Sequence, residues 1–147
     1  MKNQFVTYEI ALKLKELGFN ERCMAEYSVY NQKQCSQNDP DFRFNTDEDL
    51  GIIFQDSNIY PDTISAPLWQ QVIDWFREKH DVNIIIAKNS KEIIEYVKSK
   101  DYSIDISSRL FCWYFIDHDP KGNTSTYSEA REQAILKAIE LLYERNS

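Results

Sequence analysis

The chain has 147 residues, 42% hydrophobic and 28% charged, with 17 Lys and Arg against 24 Asp and Glu for a net charge of −7. That balance fits one globular domain over residues 1–147 and argues against disorder of the whole chain, while the acidity argues against nucleic acid or an anionic membrane as the default partner. Scarce Gly (3) and Pro (4) argue against collagen-like or linker-rich architecture and against a Gly-rich phosphate loop.

Thr7 is placed to cap a first helix running to about Leu17. Its apolar stripe is Ile10, Ala11, Leu14 and Leu17, and Gly18 fits the left-handed stop position. Cys23 to Tyr30 reads as a strand. Residues 31–49 are polar and read as a loop, with Phe42 and Phe44 pinning it to the body. A short strand over Gly51 to Gln55 and a turn at Pro61 complete a polar excursion at about 31–61. Ser65-Ala66-Pro67 has the residue types of a helix start, with Ser65 as cap and Pro67 in the first turn. The predicted helix continues to Lys79 with Trp69, Val72, Ile73 and Phe76 on one face.

Val82 to Ala87 reads as a strand. Residues 90–99 fit a helix capped by Ser90 or a strand through Ile94, Tyr96 and Lys98. Tyr102 to Ser107 alternates as a half-exposed strand, and Leu110 to Ile116 is apolar on both faces, as a central strand is. Asp117 to Ser125 reads as a loop. Thr126 and Glu129 have capping-box spacing before a last helix from about Tyr127 to Glu144. The fold class expected is α+β: an antiparallel sheet of about four to five strands with helices packed on one face, the C-terminal part in α-β-β-β-α order.

Candidate chemistry is thin. Cys23, Cys35 and Cys112 form no C-x-x-C pair and read as free thiols of a reducing compartment. Asn45-x-Asp47-x-Asp49, closed by Asp56, has a calcium-like span, but Leu50 stands where the loop needs Gly, and a solvated acidic turn is expected. Asp117-His118-Asp119 has the residue types of a small metal site or of acid–base chemistry, without the further ligands such a site needs. No G-x-S-x-G or Cys–His arrangement is present. No catalytic residue, metal or cofactor is expected.

The stronger signal is aromatic. Phe111, Trp113 and Phe115 share one face of a strand whose other face carries Leu110, Cys112, Tyr114 and Ile116. One face should pack on the helices. The other must be covered by the 31–61 excursion, a second subunit or a partner, since large exposed apolar patches are rare on monomers. Phe111, Trp113 and Phe115 are the candidate partner or dimer surface, with Trp113 as anchor.

From Ser65 onward the order of elements resembles the α-β-β-β-α plan of double-stranded-RNA-binding domains. In that family the last helix opens with clustered lysines; here the matching stretch is Tyr127-Ser-Glu-Ala-Arg-Glu132. Three stretches carry a closer resemblance: Phe5 to Phe19, Ala66 to His80 with its A-P-x-x-Q-x-x-x-x-W-F-R-E-K pattern, and Thr126 to Leu142 with T-Y-x-E-A. They are similar to a family of small proteins from phages, prophages and mobile elements of Bacteroidota. The resemblance implies a cytoplasmic accessory protein and no catalytic residues. The N-terminus, Met1-Lys2-Asn3-Gln4-Phe5, lacks a signal peptide's apolar stretch, and no apolar run approaches the roughly 20 residues that cross a bilayer. A non-enzymatic module that binds a protein partner or itself is therefore expected. The alternatives are a nucleic-acid-associated module and a small metal-dependent hydrolase using Asp117, His118 and Asp119.

Overall fold

Thr7 starts the first helix as its spacing predicts. In the computed structural model, which describes residues 1–28, 41–88, 111–116 and 118–147, α1 spans Tyr8–Glu16 and the Thr7 hydroxyl accepts from the Ile10 N–H at 3.4 Å. Gly18 ends it with φ +85. The Phe19 N–H reaches the Leu14 carbonyl and the Gly18 N–H the Lys15 carbonyl, so two carbonyls at the helix end are satisfied in a Schellman turn. Ile10, Ala11 and Leu14 are buried.

The fold is α+β. Among the described residues three α-helices and eight strands occur, and the strands form three small antiparallel sheets rather than one sheet of four to five. The chain divides into two compact units, Met1–Val72 with Asn146–Ser147, and Ile73–Arg145.

In the first unit, β1 (Ala25–Ser28) is the centre of a three-stranded sheet between β2 (Asp41–Phe44) and β5 (Thr63–Ser65). All four β1 residues are buried. A two-stranded hairpin joins β3 (Thr46–Asp47) to β4 (Gly51–Ile52). Residues 41–47, expected as loop, are thus mostly strand. Phe42 and Phe44 do pin this region, with Phe42 5.0 Å from the Phe5 ring and 5.5 Å from Tyr27. Cross-strand pairing with β1 supplies hydrogen bonds that a polar composition does not announce.

Ser65 differs from its expected role. It belongs to β5, opposite Glu26, and its hydroxyl accepts from the Ser57 N–H at 3.0 Å instead of capping a helix. Ala66 precedes Pro67, a position disfavoured in the helical region, and its N–H bonds the Ala25 carbonyl. Helix α2 accordingly begins later, at Trp69, and runs to His80.

In the second unit, β7 (Phe111–Ile116) is central, as expected, between β6 (Asn83–Lys88) and β8 (His118–Thr124). Strand β8 replaces the loop expected from Asp117 to Ser125. Pro120 and Gly122 suggested that loop, but both are accommodated. The register slips between Tyr114 and Phe115, leaving residues 119–120 between paired positions, where a bulge admits proline. Gly122 lies opposite Trp113, where a side chain would collide with the indole. The expectations for residues 90–99 and for a strand over 102–107 lie outside the described residues. Helix α3 covers Tyr127–Asn146 and buries Ala130, Ala134, Ile135, Ala138, Ile139 and Leu142. Its capping box is formed: Glu129 N–H donates to the Thr126 hydroxyl at 3.2 Å, and Thr126 N–H to the Glu129 carboxylate at 3.3 Å.

Candidate docking surface

The hairpin and the turn that follows it are rooted in a buried polar network of the first unit. Glu26 on β1 faces Arg43 on β2, and Arg43 donates through Nε (2.8 Å) and Nη2 (2.7 Å) to Glu26 Oε1. The Glu26 side chain is buried while Arg43 reaches solvent. Removing the arginine would leave a buried carboxylate without its counter-charge, which is far costlier than losing an exposed pair. Gln55 extends the network, its amide nitrogen lying 3.1 Å from Asn45 Oδ1 and 3.4 Å from Glu26 Oε2. Asn45 is buried and donates to the Cys23 carbonyl at 2.9 Å.

The turn is fixed in the same way. Residues Ser57–Ile59 form a short 3-10 helix. Asp56 accepts from the Asn58 N–H, Asn58 accepts from the Ser65 N–H and donates to the Phe19 carbonyl, and Thr63 donates to the Ser57 carbonyl at 2.6 Å. Lys15 Nζ donates to the carbonyls of Tyr60 (2.7 Å) and Thr63 (2.8 Å). Buried polar groups that are satisfied in this way specify one local conformation.

What this scaffold holds outward is apolar. Leu50, Ile52, Phe54, Ile59 and Tyr60 are each 53–78% exposed. They are five of the ten large hydrophobics exposed among the described residues, and they fall within 11 positions of sequence. Acidic residues are interspersed with them. From Phe44 to Phe76 there is no Lys or Arg, while Asp47, Glu48, Asp49, Asp56, Asp62 and Asp74 are present.

The carboxylates of the calcium-like span have structural work. Asp47 Oδ1 accepts from the N–H groups of Asp49 (2.9 Å) and Leu50 (3.1 Å), and Gly51 takes φ +75 to close the hairpin. Asn45, the first residue of that span, points into the network just described. Among the described residues no group of three His, Cys, Asp or Glu side chains is placed to hold a metal ion. The side chains of Asp117, His118 and Asp119 lie outside the described residues. No described helix is long and apolar enough to cross a membrane.

Phe111, Trp113 and Phe115 do share one face of β7, as alternation requires, but that face is turned to the chain's own helix. Trp113 is 6% exposed and Phe115 4%. Trp113 Nε1 donates to Gln133 of α3 at 3.3 Å, and the ring of Phe111 meets that of Tyr127 at 6.1 Å. The candidate anchor is therefore interior in this structure. The opposite face, with Tyr114 half-buried and Ile116 exposed, is the less covered of the two.

Neither cysteine described is poised for chemistry. Cys23 is fully buried, and burial pushes its thiol up to about 12 despite the hydrogen bond to Gln71. Burial also raises Cys112. Such thiols stay protonated and unreactive.

The exposed cluster was missed in the sequence reading. Its signal was the run Leu50-Gly51-Ile52-Ile53-Phe54, too apolar for the polar excursion assigned to it, in a stretch without a basic residue. Three consecutive apolar residues in an extended segment cannot all face one core. No family model, curated protein or solved structure matches the chain.

Proposed function

We propose that this chain is a non-enzymatic protein-binding module, a cytoplasmic accessory protein of the phage or prophage type. The observation that supports it is the exposed cluster Leu50, Ile52, Phe54, Ile59 and Tyr60, held out by a network of satisfied buried polar groups. A side chain with half or more of its surface exposed gains on the order of 1 kcal/mol when that apolar surface is covered. Five such residues give about 5 kcal/mol, against an association cost of about 4–15 kcal/mol. The patch alone supports a transient complex; tight binding needs a further contribution. The phage-type assignment rests on the three stretches whose resemblance is described above.

The test compares the wild-type chain with a variant carrying Leu50→Ser, Ile52→Ser and Phe54→Ser. Light scattering after size exclusion reads self-association, and affinity capture reads the proteins retained. The variant is expected to keep its circular dichroism spectrum and to lose either self-association or the retained proteins. An identical mass and an identical captured set would refute the reading.

A second reading, a nucleic-acid-associated module, has one observation in its favour: among the described residues the elements follow the order α2, β6, β7, β8, α3. The first turn of α3 offers Glu129 and no lysine. Salt-dependent retardation of duplex RNA would bring this reading forward.

A further inference from the structure

We infer that the exposed hairpin segment carrying Leu50, Ile52 and Phe54, beside the acidic tip Asp47-Glu48-Asp49, receives a cationic amphipathic segment of a partner protein, one with Lys or Arg beside its apolar residues. This inference rests on the protein-binding reading and names the partner's chemistry.

Charge decides the occupant. The segment from Asn45 to Asp62 carries Asp47, Glu48, Asp49, Asp56 and Asp62 and no Lys or Arg. Lys15 is held by the carbonyls of Tyr60 and Thr63, and Arg43 is paired with the buried Glu26. The hairpin tip is the clearest part of the pattern: Leu50 follows directly on Asp47-Glu48-Asp49, all four residues exposed. A second copy of this chain meeting the patch across a two-fold axis would bring two acidic segments together with no Lys or Arg of either segment between them. Like charges so juxtaposed are destabilising. An anionic membrane is repelled for the same reason. A basic amphipathic segment gains on both counts, since its apolar residues cover the cluster and its cations meet the acidic tip. Long-range attraction would also speed encounter. The rooted hairpin adds to affinity by being already in its binding conformation, so little ordering is needed on this side.

The experiment uses the full chain and three fluorescein-labelled 18-residue peptides: an amphipathic Leu/Lys helix, the same residues scrambled so that no apolar face forms, and an amphipathic Leu/Glu helix. Fluorescence anisotropy is read at 50 and 300 mM salt. The Leu/Lys amphipath is expected to bind at least tenfold more tightly than the scramble, with affinity falling at least threefold at the higher salt. Phe54→Ser with Ile52→Ser should weaken it at least tenfold. Glu48→Gln with Asp49→Asn, which leaves the Asp47 turn intact, should weaken it about threefold and flatten the salt dependence. Equal binding of the scramble, or of the Leu/Glu peptide, overturns the inference, as does binding untouched by the patch substitutions. If light scattering instead finds a dimer that Phe54→Ser dissolves, the cationic-partner inference falls while the protein-binding reading stands. If the patch substitutions alter neither peptide binding nor mass nor capture, both fall.

Discussion

Gly122→Ala tests the packing of the second unit. Gly122 lies opposite Trp113 in the β7–β8 ladder, and a methyl carbon built on it would sit 2.6 Å from Cε2 and 2.8 Å from Cζ2 of the indole, closer still to Nε1. Real Cβ atoms essentially never approach another heavy atom closer than 3.0 Å, so the ring must move. Its neighbours resist: Phe115 lies 5.7 Å away, ring to ring, and Gln133 accepts the indole N–H. Forcing a methyl into such packing costs about 1–3 kcal/mol. Loss of the Gln133 bond adds about 0.5–1 kcal/mol, and the smaller freedom of alanine in the unfolded chain offsets about 0.4–1 kcal/mol. The net expectation is a loss of about 1–3 kcal/mol, read from the urea midpoint at constant m. Trp113→Phe would be destabilising by itself, yet it makes room for the methyl. The double variant should therefore be more stable than the sum of the singles predicts, by about 1 kcal/mol or more. An unchanged midpoint for Gly122→Ala, or strict additivity in the cycle, would refute the account of why glycine stands in β8.

Asn45→Ala should cost about 1–3 kcal/mol, since it removes the donor to the buried Cys23 carbonyl and the acceptor for Gln55; chemical denaturation measures it, and a change within 0.3 kcal/mol would mean the network does not root the hairpin. The Cys23 thiol, pushed to about 12 by burial, stays protonated in the fold while the unfolded thiol ionises near 9. The unfolded state then binds fewer protons than the native state above about pH 9, so stability falls as pH rises from 9 to 12, by at most about 1.4 kcal/mol per unit. A Cys23→Ala variant should lose that part of the alkaline slope, and a thiol reagent at pH 8 should label Cys23 only after unfolding. Burial first, and the Arg145 guanidinium second, lower the His80 pKa below its ordinary 6.5. Its neutral form is the native one, so its contribution is present above the unfolded pKa and is lost as pH falls below it. An NMR titration should place His80 below 6.5, and Arg145→Gln should move it upward; no movement would remove the charge from the explanation.

The helix ends of α1 and α3 were determined by the sequence alone. Thr7 with Gly18, and Thr126 with Glu129, act within a window of four to six residues, so their chemistry can be read without knowing the rest of the fold. The α+β class and the central place of β7 were equally legible, from apolar periodicity and from a strand apolar on both faces. Tertiary structure decided where a local signal had two uses. Ser65 has the chemistry of a helix cap, yet pairing of β5 with β1 gives its hydroxyl to Ser57. Pro120 and Gly122 have the chemistry of a loop, yet a bulge and an overlying indole make them parts of β8. Alternation placed Phe111, Trp113 and Phe115 together, but only the position of α3 determined that this face is covered. Caps and periodicity are properties of neighbours along the chain; burial is a property of whatever packs across from a residue, and that is set by contacts distant in sequence.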